Sequence, residues 1–182
     1  MSYNIYIINR RSKKISNLYP NAIVLDVTSK STDKWIKFSP FFPHENIPVP
    51  FSPEVKACSV EGIWQGLKVF ENEGIDESKF FICNMKNLKR SVRKHGRVLG
   101  HQKGIDNKIL LGYIEAKKLI YLPTYHWVLE NILRNEINEL RELIVSNDIV
   151  LLDYETNEDI FNDKPLSHAA LIKLYLENKY PL

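Results

Sequence analysis

The chain has 182 residues, of which 44% are hydrophobic and 26% charged, with a formal net charge of +3. This balance is typical of a globular protein that folds in water. No apolar run approaches the roughly 20 residues that cross a bilayer. The opening residues also lack the basic, apolar and small-residue order of a signal peptide. We therefore expect a cytoplasmic protein with no membrane partner.

The predicted elements begin with two strands, Tyr3 to Ile8 and Ala22 to Val27. The segment from Ile36 to Phe51 then holds four prolines and four phenylalanines. Proline fixes φ and removes a backbone donor, so this segment is predicted to be neither a helix nor a central strand. A stiff loop rich in aromatic side chains is suited to form the wall of a pocket.

Most of the predicted helix lies in the second half of the chain. A helix from Ser59 to Phe70 has Ser59 as its N-cap. A basic helix ends before Gly96, and a helix from Ile109 to Tyr121 ends near Pro123. The later predictions are two helical stretches at 125–133 and 137–145, a buried strand at 149–154 and a closing helix at 167–178. The mixture predicts an α+β fold, with one domain over residues 1–182 and a small sheet packed by several helices.

The helix at 59–70 has two chemically different sides. At about 100° per residue, one stripe is apolar; it consists of Val60, Ile63, Leu67 and Phe70. The opposite side is polar; it consists of Glu61, Gln65 and Lys68, with Trp64 beside them. Gly62 and Gly66 each cost about 1 kcal/mol relative to alanine in a helix interior. The bare backbone suggests either a close-packed neighbour or a ligand.

Glu61 and Lys68 are the best candidates for catalysis. A lysine that lines an aromatic pocket loses its proton more easily, because desolvation disfavours the ammonium form. Its neutral amine can form a Schiff base with an aldehyde, and a nearby carboxylic acid can move the protons this requires. An ionised Glu61 would oppose this by raising the pKa of Lys68. The alternative is an ordinary polar face with both side chains in solvent.

Other side chains are weaker candidates for ligand binding. Tyr121, Tyr125 and Trp127 could stack on a flat ring, or anchor the core. Asp153 and Asn157 follow the buried strand, a common place for ligand contacts and also for turns.

The two cysteines, Cys58 and Cys83, have no metal-ligand spacing. We expect reduced, buried thiols, which agrees with a cytoplasmic address, and a disulfide is the less favoured alternative. The five histidines are scattered, and the sequence has no phosphate-binding loop or metalloprotease motif. No metal and no redox cofactor is therefore implied.

The net charge is concentrated in one segment. Residues 86–108 contain eight lysines and arginines, two histidines and one acidic residue, Asp106. Such a segment could meet the phosphates of a small ligand or of nucleic acid. The alternative is a solvated helix face.

Two motifs in sequence resemble a known family. Residues 38–43 read FSPFFP, and residues 60–68 match V-E-x-x-x-Q-x-x-K. Both are similar to motifs of the NADAR superfamily of YbiA-like N-glycosidases, and the similarity covers residues 38–68. Two positions depart from that pattern: Pro40 stands where the family has asparagine, and Gly62 where an aromatic residue or histidine often follows the glutamate. These departures bear on the substrate more than on the fold.

The resemblance implies a YbiA-like α+β fold with a pocket for an ADP-ribose or ribose-phosphate ligand. It also implies a hydrolase that cleaves an N-glycosidic bond, with Lys68 as the nucleophile and Glu61 as the acid and base. Gln65 would position the sugar, and Phe38, Ser39 and Phe41 would belong to the base-binding segment. The chemistry of the side chains adds Trp64 and Trp127 as further substrate-binding candidates.

Two other functions remain open at this stage. The chain could bind nucleotides derived from NAD or ADP-ribose without catalysis, which the change at Pro40 favours. It could also bind nucleic acid, including modified nucleic acid, through residues 86–108.

Overall fold

A computed structural model describes residues 4–182, and its mixture of helices and small sheets confirms the α+β class. The strands are β1 (Ile5–Asn9), β2 (Ile23–Asp26), β3 (Ile47–Val49), β4 (Ser52–Ala57), β5 (Lys68–Phe70), β6 (Val98–Gln102), β7 (Leu110–Leu111) and β8 (Ile149–Asp153). The helices are α1 (Ile15–Leu18), α2 (Val60–Gly66), α3 (Val92–His95), α4 (Tyr113–Ala116), α5 (Leu122–Asn131), α6 (Arg134–Ser146) and α7 (His168–Leu176).

The chain divides into two compact units, each made of separate stretches of sequence. Unit 1 contains the described residues up to 39, together with 129–159 and 164–181; unit 2 contains 40–128, 160–163 and the last residue. The prediction of one domain over the whole chain is not tested by this division and stays a prediction.

Unit 1 is built on a parallel sheet with the strand order β1-β8-β2. The central strand β8 pairs with both neighbours, placing Ile149 beside Ile5 and Ile23. The residues of β8 are buried apart from the half-buried Leu152, as is usual for the central strand of a parallel sheet. All three predicted strands of this sheet are confirmed, although Tyr3 lies outside the described residues.

The closing helix of unit 1 is also confirmed. It begins after Ser167, whose hydroxyl accepts a hydrogen bond of 3.1 Å from the Ala170 amide. This is the usual N-cap contact, which satisfies an amide that has no partner inside the helix.

Unit 2 holds two antiparallel sheets, the β3-β4 hairpin and the three strands β5-β6-β7. Pro48 lies in β3, whose only strand partner in the described residues is β4, so its missing donor breaks no central ladder. The prediction that the proline-rich segment contains no central strand is thus confirmed. A 3₁₀ turn at Lys34–Phe38 overlaps its first residues.

Two predicted helices of unit 2 are wrong in extent. The basic segment is irregular up to Ser91, and only α3 is helical. The prediction at Ile109 fails because residues 110 and 111 form β7 opposite His101 and Gln102. Strand pairing there outweighs the local apolar pattern, which short runs leave ambiguous between helix and strand.

Pro123 does not end a helix, contrary to the prediction. The chain runs from α4 through a π-helical turn at Lys117–Tyr121 directly into α5. A proline normally clashes with the carbonyl one turn earlier and removes a hydrogen bond. The wider π turn changes that hydrogen-bond pattern immediately before Pro123, so the helix continues.

Cys58 and Cys83 form a disulfide, which corrects the expectation of reduced thiols. The two residues lie 25 positions apart, with Cα atoms at 5.2 Å. Only the folded backbone brings them together, so their spacing along the chain does not indicate the bond. The support that free thiols gave to a cytoplasmic address is lost with this correction.

In the part of the chain that the structure describes, none of the helices has the length and apolar character needed to cross a membrane.

Candidate functional site

The bare backbone of α2 is explained by a close neighbour. A side-chain carbon added at Gly62 would lie 2.6 Å from the Lys79 carbonyl oxygen. One added at Gly66 would lie 2.3 Å from the ring of Phe80. Both distances are far below van der Waals contact, so the two glycines let the 3₁₀ turn at Glu77–Phe81 pack directly on the helix. Between the two alternatives from the sequence, the close-packed neighbour is confirmed.

The helix is shorter than predicted, and this changes where Lys68 lies. Ser59 caps the start as expected, accepting a 3.0 Å hydrogen bond from the Gly62 amide. The helix ends at Gly66, and Lys68 is the first residue of β5. The glycine-rich turn provides little helical propensity beyond this point, and pairing with β6 takes over. Lys68 therefore reaches the polar side of α2 from a strand.

Glu61, Gln65 and Lys68 form a continuous hydrogen-bonded series. The Gln65 amide nitrogen donates to the Glu61 carboxyl group at 2.8 Å. The Gln65 amide oxygen accepts from the Lys68 ammonium at 3.3 Å. The acid and the amine are thus joined through a neutral amide. Glu61 and Gln65 are buried, and Lys68 is half-buried. These side chains therefore do not form the solvent-exposed polar face that was the alternative interpretation of the sequence.

Arg90 holds this series in place and was not singled out from the sequence. Its guanidinium donates to the backbone carbonyls of Gln65 at 3.1 Å, Lys68 at 2.5 Å and Gly74 at 2.7 Å. Its own backbone amide donates to the Gln65 side-chain oxygen at 3.1 Å. Arg90 is buried, and these contacts fix the end of α2 and the start of β5. It belonged to the basic segment, where nothing in the sequence distinguished it from its neighbours.

Burial pushes both candidate catalytic groups toward their neutral forms. Desolvation raises the pKa of Glu61, and the Gln65 hydrogen bond and the charges of Lys68 and Lys89 only partly oppose it. Desolvation also lowers the pKa of Lys68; Glu61 opposes this, whereas Arg90 and Lys89 add to it. Both directions follow from removing a charge from water.

Aromatic rings and a histidine border the polar series. The rings of Trp64 and His101 lie 3.7 Å apart between centroids, tilted by 30°. Tyr113 and Tyr121 meet Trp64 edge-on at 5.9 and 5.6 Å. One face of Trp64 is therefore covered by His101, so Trp64 does not offer that face to a ligand as the sequence suggested. His101 was not predicted for the site, because 33 positions separate it from Lys68 (101 − 68) and only the β5-β6 pairing brings it there.

The proline-aromatic segment contributes to both units. Phe41, in unit 2, is half-buried, and the Lys89 ammonium lies 5.4 Å from its ring. Phe38 and Ser39 belong to unit 1, where Phe38 is fully buried and stacks on Trp35 at 6.0 Å. The predicted role of Phe38 and Ser39 in base binding stays a prediction. Trp127 is half-buried on α5 in unit 2, and its role likewise stays a prediction.

Asp153 and Asn157 lie in unit 1 and are occupied by local structure. The Asp153 carboxylate accepts from the Ser167 hydroxyl at 2.8 Å and lies 2.9 Å from His168 Nδ1. The Asn157 carbonyl accepts from the Ser167 amide at 2.9 Å. These contacts support a structural role for both residues at the start of α7, and their ligand contacts stay a prediction.

The basic side chains of residues 86–108 lie in different surroundings. Arg90 is buried, and Arg97 pairs with Glu71 at 3.2 Å. Lys86, Arg93, Lys94 and Lys108 are exposed. Within residues 4–182, no group of three or more His, Cys, Asp or Glu side chains is arranged to hold a metal ion.

The candidate site therefore lies in an α+β protein and consists of a buried carboxylic acid, an amide and a lysine amine linked in series beside aromatic rings. The chain belongs to a family of unknown function, DUF6939, whose family model matches residues 8–172. No curated protein and no solved structure matches the chain.

Proposed function

We propose that this protein is a hydrolase that cleaves an N-glycosidic bond in an ADP-ribose- or ribose-phosphate-linked base. The observation that carries the proposal is the series of Glu61, Gln65 and Lys68, in which burial favours a neutral acid and a neutral amine. The resemblance of residues 38–68 to YbiA-like N-glycosidases supports the same assignment.

The Gln65 amide resolves the conflict between Glu61 and Lys68. A direct ion pair would stabilise the ammonium and leave no nucleophile. In the structure the carboxyl group and the amine are joined through Gln65, whose nitrogen faces the acid and whose oxygen faces the amine. The amine stays close enough to exchange protons within the site while desolvation lowers its pKa.

In the proposed reaction, the neutral Lys68 amine attacks C1′ of the sugar. The C–N bond breaks, and the base leaves with the bonding electron pair and a proton from Glu61. The C1′–O4′ bond then breaks, a proton passes from the lysine nitrogen to the ring oxygen, and a protonated Schiff base forms between Lys68 and C1′. Water adds to C1′, with Glu61 accepting one of its protons. The proton of the new hydroxyl passes to the lysine nitrogen as the C–N bond breaks, which releases the sugar as its open-chain aldehyde and the neutral amine. The net reaction consumes one water and yields the free base, the sugar and the unmodified lysine.

The surrounding charge suits an anionic substrate. Lys89 is exposed, contacts the ring of Phe41 and acts electrostatically on both Glu61 and Lys68. An ammonium group beside an aromatic ring could meet a phosphate while a base packs on the ring. A cytoplasmic location remains part of the proposal, and the Cys58–Cys83 disulfide weighs against it, because cytosolic thiols are usually reduced.

The test compares base release by the wild type, Lys68→Ala and Lys13→Ala. Lys13 is an exposed lysine of unit 1 and serves as the matched control. The panel contains NAD, ADP-ribose, ADP-ribosylated guanosine and phosphorylated aminopyrimidine ribosides, and released base is measured by mass spectrometry. We expect release by the wild type and Lys13→Ala only. Full turnover by Lys68→Ala would contradict the mechanism.

One outcome of the same panel, and one separate binding experiment, would favour the other functions. Thermal stabilisation by a panel member without release would indicate a nucleotide-binding protein; a ligand at a hundredfold over its Kd adds about 2.7 kcal/mol. The exposed cations of residues 86–108 favour nucleic-acid binding as a further candidate. That function requires an affinity for oligonucleotides that falls steeply as salt rises.

A further inference from the structure

His101 is a buried polar side chain beside the proposed nucleophile. It is 1% exposed, and its ring lies against Trp64 with centroids 3.7 Å apart. In the antiparallel β5-β6 pair, His101 is directly opposite Lys68. Side chains of directly opposed residues point to the same face of a sheet, so the imidazole and the amine share one face.

Neither ring nitrogen of His101 has a hydrogen-bond partner among the described residues. A neutral imidazole carries one N–H donor and one lone-pair acceptor; the nearby Trp64 backbone carbonyl can act only on the donor, so the acceptor is unused. Buried polar groups in folded proteins are nearly always hydrogen-bonded, and an exception calls for an explanation. A polar ligand that meets these nitrogens would supply one.

The imidazole is held neutral by its surroundings. The pKa of His101 is lowered to about 3, chiefly by burial and also by the charge of Lys68, while the Trp64 carbonyl acts in the opposite direction. At neutral pH the ring therefore adds no positive charge beside Lys68. It can still donate one hydrogen bond and accept another.

We infer that His101 binds the substrate through a hydrogen bond to a hydroxyl group of the sugar, on the same face of the sheet as Lys68. This inference rests on the proposed function. A hydroxyl is the simplest match, because it both donates and accepts and so pairs with either tautomer of the imidazole. The contact would hold the sugar where the Lys68 amine reaches C1′.

Trp64 acts as the support for this contact. Its ring covers one face of the imidazole, and the edges of Tyr113 and Tyr121 fix the tryptophan in turn. The aromatic cluster therefore positions His101. On the side of its ring that His101 covers, Trp64 would therefore act on the substrate only through His101.

The experiment measures the binding of ribose 5-phosphate by isothermal titration calorimetry. The proteins are the wild type, His101→Phe, which keeps the stacking surface, and His101→Gln, which keeps a donor and an acceptor. We expect binding about tenfold weaker for His101→Phe, from the loss of one hydrogen bond, and largely restored for His101→Gln. Ligand-free His101→Phe should melt no lower than the wild type, because it removes two nitrogens without partners.

Several results would overturn the inference: equal affinity of the wild type and His101→Phe, weak binding by both variants alike, or no binding by the wild type. If phenylalanine is too large and the variant does not fold, His101→Leu takes its place in the same comparison. Base release by the wild type from the substrate panel reports separately on the proposed function. A protein that releases base but binds ribose 5-phosphate independently of residue 101 would refute only the role of His101.

Discussion

The Gln65 side chain donates a 2.8 Å hydrogen bond to the carboxyl group of Glu61, one helical turn earlier on α2. Both residues are buried, and the hydrogen-bond partner of the acid is a neutral amide rather than a charged group. Its pKa is raised chiefly by desolvation. This arrangement leads to specific expectations for the acid, the amine and the packing behind them.

Replacing the acid by its amide should separate function from stability. Glu61→Gln keeps an oxygen that can accept from Gln65 and removes a buried group that becomes charged at high pH. Because the pKa of Glu61 is raised on folding, its contribution is most favourable below about pH 4.5 and is lost as pH rises through the folded-state pKa. We therefore expect Glu61→Gln to gain in Tm over the wild type at pH 8 more than at pH 4. Activity should fall about 10²–10⁴-fold.

A merely structural Glu61 would give a different result. The variant would then melt at the same or a lower temperature than the wild type at every pH, with turnover unchanged. Thermal melts at pH 4 and 8, together with base release, distinguish the two cases.

The reactivity of Lys68 should depend on pH in a way that its neighbours control. Desolvation lowers the pKa of Lys68 below 10.5, so reductive methylation by formaldehyde should reach half its maximal rate below that pH. Glu61 raises this pKa and Lys89 lowers it. The midpoint should therefore move down in Glu61→Gln and up in Lys89→Gln, as followed by peptide mass spectrometry from pH 6 to 11. Midpoints that do not respond to either variant would contradict the electrostatic account.

The close packing behind α2 should make one glycine irreplaceable. An added carbon at Gly66 lies 2.3 Å from the Phe80 ring, whereas Gly74 has nothing within 4 Å. Overpacking of this kind costs about 1–3 kcal/mol, and each kcal/mol lowers Tm by about 2–4 °C in a chain of this length. Gly66→Ala should therefore melt several degrees below Gly74→Ala. Equal melting temperatures would show that the 3₁₀ turn does not press on the helix.

The buried pair of Asp153 and His168 should limit stability at both ends of the pH range. Although burial opposes both charges, the pair lowers the pKa of Asp153 and raises that of His168. The Asp153 contribution is present above about pH 3.8 and is lost as pH falls through the folded-state pKa. The His168 contribution is present below about pH 6.5 and is lost as pH rises through its folded-state pKa.

Removing one partner exposes this dependence. Breaking a buried pair typically costs about 3–5 kcal/mol, so His168→Gln should melt well below the wild type between pH 4 and 6.5. The difference should narrow on both sides of that range. A difference in Tm that is constant from pH 3 to 9 would rule out an ionised pair.

The sequence predicted the three strands of unit 1 and α7 because each depends on local patterns, whereas the parallel pairing of those strands was not predicted. The strand predicted at 149–154 and the closing helix predicted at 167–178 needed no distant partner to be recognised. The end of α2 was placed too late because pairing with β6, which decides it, is a long-range contact. The same reason hid the Cys58–Cys83 disulfide.

For the site, the spacing of Glu61, Gln65 and Lys68 was informative even though the predicted helix was too long. The motif brings the three side chains together because the chain turns from α2 into β5 between the second and third. Arg90 and His101 could not be found this way. Their roles depend on which carbonyls and rings the fold places next to them.

Covalent trapping of Lys68 by borohydride is the decisive test of a Schiff base at this residue. The wild type, Lys68→Ala and Lys13→Ala are incubated with each member of the substrate panel and sodium borohydride, and the modified residue is located by peptide mass spectrometry. We expect a reduced sugar adduct on Lys68 in the wild type and in Lys13→Ala, and none at this site in Lys68→Ala. Two results would contradict the proposed mechanism. One is release of the base by the wild type without any adduct on Lys68, and the other is undiminished release of the base by Lys68→Ala.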